Sequence, residues 1–129
     1  FNCGAAQRVL LAHLPDASWE KVVPGHVRRM TPYSLVSSDE LDRDRREIRE
    51  RGYSVGWEDR TRHACSLGAP VRDARGVVVA AVSISGIVQR FSAERLPALI
   101  RRIMQLGDDL SARVGYIAPQ EDSPRQSCG

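Results

Sequence analysis

The chain lacks a long hydrophobic run, and nothing in it approaches the roughly 18 to 20 consecutive apolar residues of a membrane span. Its start also lacks a basic region followed by an apolar signal core, so a cytoplasmic location without membrane contact is expected. Cysteine is scarce. Cys3, Cys65 and Cys128 are an odd number in no disulfide-scaffold spacing, which fits a reducing compartment. Structural zinc needs paired ligands at short spacing twice over. Here only His63 and Cys65 stand close in sequence, with His13, His26 and Cys3 elsewhere, so no metal is expected. A basic stripe is missing too: 19 basic residues are interleaved with 16 acidic ones for a net charge of +3, which argues against direct DNA binding by this segment. None of the three histidines lies beside a serine or cysteine in a nucleophile motif. His63 and Cys65, two apart on one strand, are poorly placed for a base that must reach the sulfur. No enzyme is expected, and no cofactor.

What is present is an ordinary globular composition, 42% hydrophobic and 27% charged over 129 residues, enough for one core and one domain. That domain is expected over residues 1–117. The run from Ala118 to Gly129 holds two prolines and almost no apolar residues, and is expected to be a disordered tail. From Gly4 to Leu14 the apolar positions follow a helical stripe that Pro15 closes. Asp16 is expected to cap a short helix carrying Trp19, Val22 and Val23, stopped by Pro24 and Gly25. Ser37 with Glu40 is a capping-box signature, and the helix it opens runs to Arg51 with Gly52 just beyond its end.

That helix is dense in charge. Asp39 with Arg43, Asp42 with Arg46 and Glu47 with Arg51 stand four apart with the acid first, the favourable order. Only Leu41 and Ile48 clearly face a core, so its arginines read as a solvated face in preference to a nucleic-acid patch. Tyr53, Val55 and Trp57 alternate with Ser54 and Gly56 as in a half-buried strand, and the polar segment 58–63 is a loop. Residues 64–71 and 77–84 form a hairpin about a turn of Asp73, Ala74, Arg75 and Gly76, with the glycine where a positive φ is needed. Phe91 before a cap at Ser92, with Leu96 beyond, has the form of a hydrophobic staple. Leu96, Leu99, Ile100, Ile103, Gly107, Leu110 and Val114 give the last helix its stripe. Helices and a hairpin in this order make an α/β, or α+β, sheet with helices packed against it.

The far strand of the hairpin carries Ser83 and Ser85. Alternate side chains share a face, so the two hydroxyls point the same way about 6 to 7 Å apart. They suit one small polar ligand, and they equally suit nearby backbone groups.

From Gly52 to Gly86 the chain resembles the effector-binding domain of the isocitrate lyase regulator (IclR) family of bacterial transcription factors. The likeness rests on Arg51 Gly52 Tyr53, on Ala69 Pro70 Val71 with Asp73 and Gly76 after it, and on Ser83 Ile84 Ser85 Gly86. Gly4 Ala5 Ala6 with Leu10 Leu11 Ala12 is similar to the first helix of that domain, and the last helix ends near Gly115 as theirs does. The resemblance implies a GAF-like or profilin-like fold with a mostly antiparallel sheet. It also implies an upstream winged helix-turn-helix and first effector-domain strands that this chain does not include, leaving one sheet edge exposed.

The resemblance further implies a pocket for a small carboxylic-acid effector, with backbone amides from Ala5 and Ala6 and hydroxyls from Ser83 and Ser85. Amides at a helix start carry partial positive charge and suit a carboxylate. Two positions depart from relatives: Gly56 and then Trp57 stand where some members have an aspartate, and Ser66 stands where some have a cysteine. An acid lost beside an indole implies a ligand with less polar decoration and an aromatic ring; Trp57 as plain sheet packing is the other reading. By the same resemblance the protein is a homodimer or homotetramer that touches DNA only through its separate N-terminal domain. The alternatives are a GAF-type sensor module of a signalling protein and a thiol-based enzyme of GAF-like fold using Cys65.

Overall fold

The computed structural model describes residues 2–116, so the expected tail lies outside the described residues. Within them run α1 (Ala5–Ala12), α2 (Asp16–His26), α3 (Ser38–Arg51), β1 (Ser54–Trp57), β2 (Ala64–Arg72), β3 (Val78–Ile87), a 3-10 turn (Val88–Phe91) and α4 (Leu96–Arg113). The strands form one antiparallel sheet in the order β1-β2-β3. No helix among the described residues is long and apolar enough to cross a membrane.

Helix α3 begins and ends as its sequence dictates. The Ser37 side chain accepts from the Glu40 amide (3.1 Å) while the Glu40 carboxylate accepts from the Ser37 amide (3.4 Å). Those backbone bonds hold the Glu40 carboxyl below its ordinary pKa. Gly52 closes the helix at φ 83, a left-handed conformation that only glycine adopts without strain. Of the expected ion pairs, Asp42 takes Arg46 (2.6 Å) and also Arg45 (2.8 Å). Arg51 instead lies over the Tyr53 ring, 4.6 Å from its centroid. Arg49 has an unforeseen task, donating to Ala12 O (2.6 Å) and Leu14 O (2.9 Å) and so satisfying carbonyls at the end of α1.

Three expectations about the helices need correction. Asp16 is the first residue of α2 and Pro15 occupies the cap position, so the Asp16 carboxylate is left to pair with Arg45 (3.1 Å); the helix then runs through Pro24 to His26. Ser92 gives no side-chain cap to α4. Its carbonyl accepts from Arg95 (3.0 Å) and Leu96 (2.8 Å), and the helix starts four residues later. The apolar stripe of α4 also drifts: Ile103, Gly107 and Ser111 face the sheet in steps of four, while Leu110 and Val114 are exposed. Ser111 is accommodated inside because its hydroxyl donates to Gly107 O (2.7 Å) and accepts from the Arg72 amide (2.9 Å).

The two faces of the sheet are covered differently. On one, Cys65, Leu67 and Ala69 of β2 pack with Phe91 and Ile103, and α4 approaches so closely that a Cβ on Gly107 would stand 2.8 Å from Pro70 O. On the other, α1 lies almost on the backbone of β2, where a Cβ on Gly68 would stand 2.9 Å from the carbonyl of Ala5. This second contact inverts the expected burial of β1. Ser54 and Gly56 are the buried positions, because only small residues fit beneath α1, and Trp57 is 44% exposed. The outer edge of β3 leaves Val79 and Ile87 more than half exposed.

His13, at the end of α1, is held by a contact from Nδ1 to Val9 O (2.8 Å), and burial pushes its pKa below the ordinary histidine value. The unfolded chain therefore binds a proton that the folded chain resists, so stability falls as pH drops below about 6.5. Urea unfolding between pH 7.5 and 5.5 is expected to show this loss and His13→Gln to reduce it; equal slopes in both would contradict the assignment.

Candidate functional site

Sheet register brings the small residues of three strands into rows beneath the N-terminus of α1. Gly56 pairs with Ser66 and Ser66 with Ser85, forming one row; Ser54, Gly68 and Ser83 form the next. Between these rows, α1 and the β1–β2 loop lies a cavity of about 320 Å³, at the small end of the roughly 300 to 1,000 Å³ of ligand pockets. Ala5, Ala6, Gly56, Ser66, Ser83 and Ser85 all line it.

Trp57 does not. It points to the other side of β1, where it lines a separate groove with Val55, Leu96 and Ile100. An indole there gives no reason to expect an aromatic ring in the cavity. The strand period of two accounts for this, since Gly56 and Trp57 cannot share a face.

The polar groups of the cavity divide into those already engaged and those available. The Gly4 amide donates to Asp59 Oδ2 (2.9 Å) and the Ala5 amide to Ser66 Oγ (3.0 Å). Ala5 thus serves as a structural contact, with its amide already taken. The amides of Ala6 and Gln7, next in the first turn, have no hydrogen-bond partner among the described residues, and neither have the exposed hydroxyls of Ser83 and Ser85. Gly4 holds φ 91, and a Cβ on it would meet the end of the Gln7 side chain at 2.6 Å. With the Gln7 amide oriented to satisfy its neighbours, its nitrogen donates to Cys3 O (3.3 Å) and its oxygen accepts from Arg60 Nη1 (2.9 Å), placing a cation at the cavity wall.

Beneath the site lies a buried charge cluster. Arg8 grips Asp44 through both Nε (2.9 Å) and Nη2, donates from Nη1 to Val55 O (2.6 Å), and stands 3.6 Å from Asp59 Oδ2. Burial pulls the Arg8 pKa down, but the bonds and charges of Asp44 and then Asp59 outweigh it and raise it above its usual value. Asp59 is also fixed through its backbone, where Ser34 donates to its carbonyl (2.5 Å). Thr31 likewise donates to Glu58 O.

Sequence reasoning missed Gln7, Asp59 and Arg60. The one available signal was the polar run between two strands, since loops on a rigid scaffold often carry function. The thiol of Cys65 is buried, and its pKa is pushed up to about 11 by burial and then by Asp59, so at neutral pH it is not a thiolate. Among the described residues no three His, Cys, Asp or Glu side chains gather as a metal site.

Comparison with known proteins places this geometry. The family described as "Bacterial transcriptional regulator IclR C-terminal" matches residues 1–112. The HTH-type transcriptional regulator KdgR of Escherichia coli is 31% identical over 113 residues, which cover 87% of this chain and 43% of KdgR. The crystal structure of the C-terminal domain of KdgR superposes with a TM-score of 0.81 at 30% identity, covering 89% of this chain and 71% of that one. The inducer-binding domain of PobR from Acinetobacter, solved as a double mutant with 3-hydroxybenzoic acid, shares the fold at a TM-score of 0.77 and 18% identity, covering 85% and 64%. The chain spans about half the length of the curated relatives it matches. It belongs to the IclR family of bacterial transcriptional regulators, and its α+β fold is that of the family's C-terminal domain.

Proposed function

We propose that the cavity between α1 and the sheet is an effector site for a small carboxylic acid, and that its occupancy controls operator binding by the regulator to which this domain belongs. The observation that carries this reading is the convergence of donors on one small cavity: the unengaged Ala6 and Gln7 backbone amides and Ser83 and Ser85 hydroxyls, with the Arg60 guanidinium, one nitrogen of which Gln7 takes, at its wall. Donors at a helix start favour an anion, and a charge-assisted bond is worth about twice a neutral one. The acid that accompanies the PobR domain supports the same ligand class.

Coupling to DNA requires only that the effector bind one arrangement of a dimer or tetramer more tightly than another, by about 1 to 3 kcal/mol. The DNA contacts themselves would come from a separate N-terminal winged helix-turn-helix. A thiol-based enzyme gains no support, since Cys65 is buried and protonated. A thermal-shift panel tests the site. Aliphatic and aromatic carboxylates are expected to raise the melting temperature saturably, while the matching neutral amides do not. A panel in which amides stabilise as well as acids would contradict an anion site.

A further inference from the structure

Building on this effector-site reading, we infer that Asp59 reads a hydrogen-bond donor on the ligand, so that the site selects carboxylic acids bearing a hydroxyl or ammonium group beside the carboxylate. The observation is an unspent oxygen. Asp59 is only 4% exposed, its Oδ2 is held by the Gly4 amide at 2.9 Å, and its Oδ1 has no hydrogen-bond partner among the described residues. That oxygen lies over Gly56, where a Cβ would stand 2.6 Å from Asp59 Oδ1 and 2.8 Å from Ser66 Oγ, and all three residues line the cavity. Glycine at position 56 thus leaves room for an acid delivered from three residues further along.

Charge sharpens the point. The buried groups Arg8, Asp44 and Asp59 are one cation and two anions, so the cluster keeps an excess negative charge beside the cavity. A bare carboxylate entering there gains from Ser83, Ser85 and Arg60 but is opposed by Asp59. A neighbouring hydroxyl or ammonium turns that opposition into a bond, because a carboxylate is an acceptor only. Oδ1 opens onto the cavity, and a ligand that displaces its solvent without offering a donor leaves that oxygen unpaired, which is costly and makes such a site intolerant of ligands lacking the donor.

The test is isothermal titration of matched triads, propionate against lactate and alanine, and phenylacetate against mandelate and phenylglycine. A hydroxy or amino member is expected to bind at least about tenfold more tightly than its unsubstituted partner. The comparison of lactate with alanine distinguishes hydroxyl from ammonium. Asp59→Asn, which keeps an oxygen for the Gly4 amide, is expected to shrink that preference below about threefold. A merely structural Asp59 would lower affinity for every member alike. Equal affinity across the wild-type triads, with binding still lost in Ser83→Ala/Ser85→Ala, overturns this inference and leaves the effector site standing. Absence of binding by all members of both triads overturns the two together.

Discussion

Replacing Arg8 by methionine is expected to lower the unfolding free energy by about 3 to 5 kcal/mol, the loss typical of breaking a buried ion pair from one side. Arg8 is 6% exposed, and its removal would strand Asp44 and Asp59, exposed 8% and 4%, without their counter-ion. It would also leave Val55 O without the donor that now reaches it at 2.6 Å. Domains of this size have only about 5 to 15 kcal/mol in total, so the variant should be close to unfolding at 37 °C. Urea denaturation checks this, and pairing Arg8→Met with Asp44→Leu should recover part of the loss, because a well-packed apolar pair is often as stable as a buried ionic one while Asp59 and Val55 O stay unpaired. A loss below about 1 kcal/mol would mean that water reaches the cluster and that Asp59 is not held as described.

The second large effect is on binding. Ser83→Ala together with Ser85→Ala should weaken a carboxylic acid that stabilises the wild type by about a hundredfold, from two bonds to a charged group at roughly 1.5 to 3 kcal/mol each, discounted because neighbouring bonds do not add fully. Stability should change by no more than about 0.5 kcal/mol, since both side chains are exposed and neither hydroxyl bonds to the described protein. This separation of affinity from stability distinguishes a ligand site from a packing motif. Unchanged affinity in the double variant would remove the serines from the site.

The sequence was informative wherever local chemistry decides the outcome. Ser37, Glu40 and Gly52 bound α3 as their capping chemistry requires, and the alternation in β3 put Ser83 and Ser85 on one face. It was less informative where a long-range contact overrules a local pattern. Tyr53, Val55 and Trp57 look like the packing face of β1, but α1 rests on the opposite face and buries Ser54 and Gly56 instead. Asp44 sits in a helix of eleven charged residues and nothing near it in sequence marks it as buried; its reason is Arg8, thirty-six positions away. Asp59 was illegible for the same cause, since its partners Gly4 and Arg8 reach it only after α1 has docked.

A small acid bound between α1 and the two serines is located residue by residue by amide chemical-shift mapping. Titrating the 14.3 kDa chain with an acid that raises its melting temperature should move the resonances of Ala6, Gln7, Asp59, Ser83 and Ser85, and leave Leu96 and Ile100 in place. Shifts gathered instead around Trp57, Leu96 and Ile100 would put the ligand in the groove on the other side of β1 and rule out the cavity beneath α1 as its site.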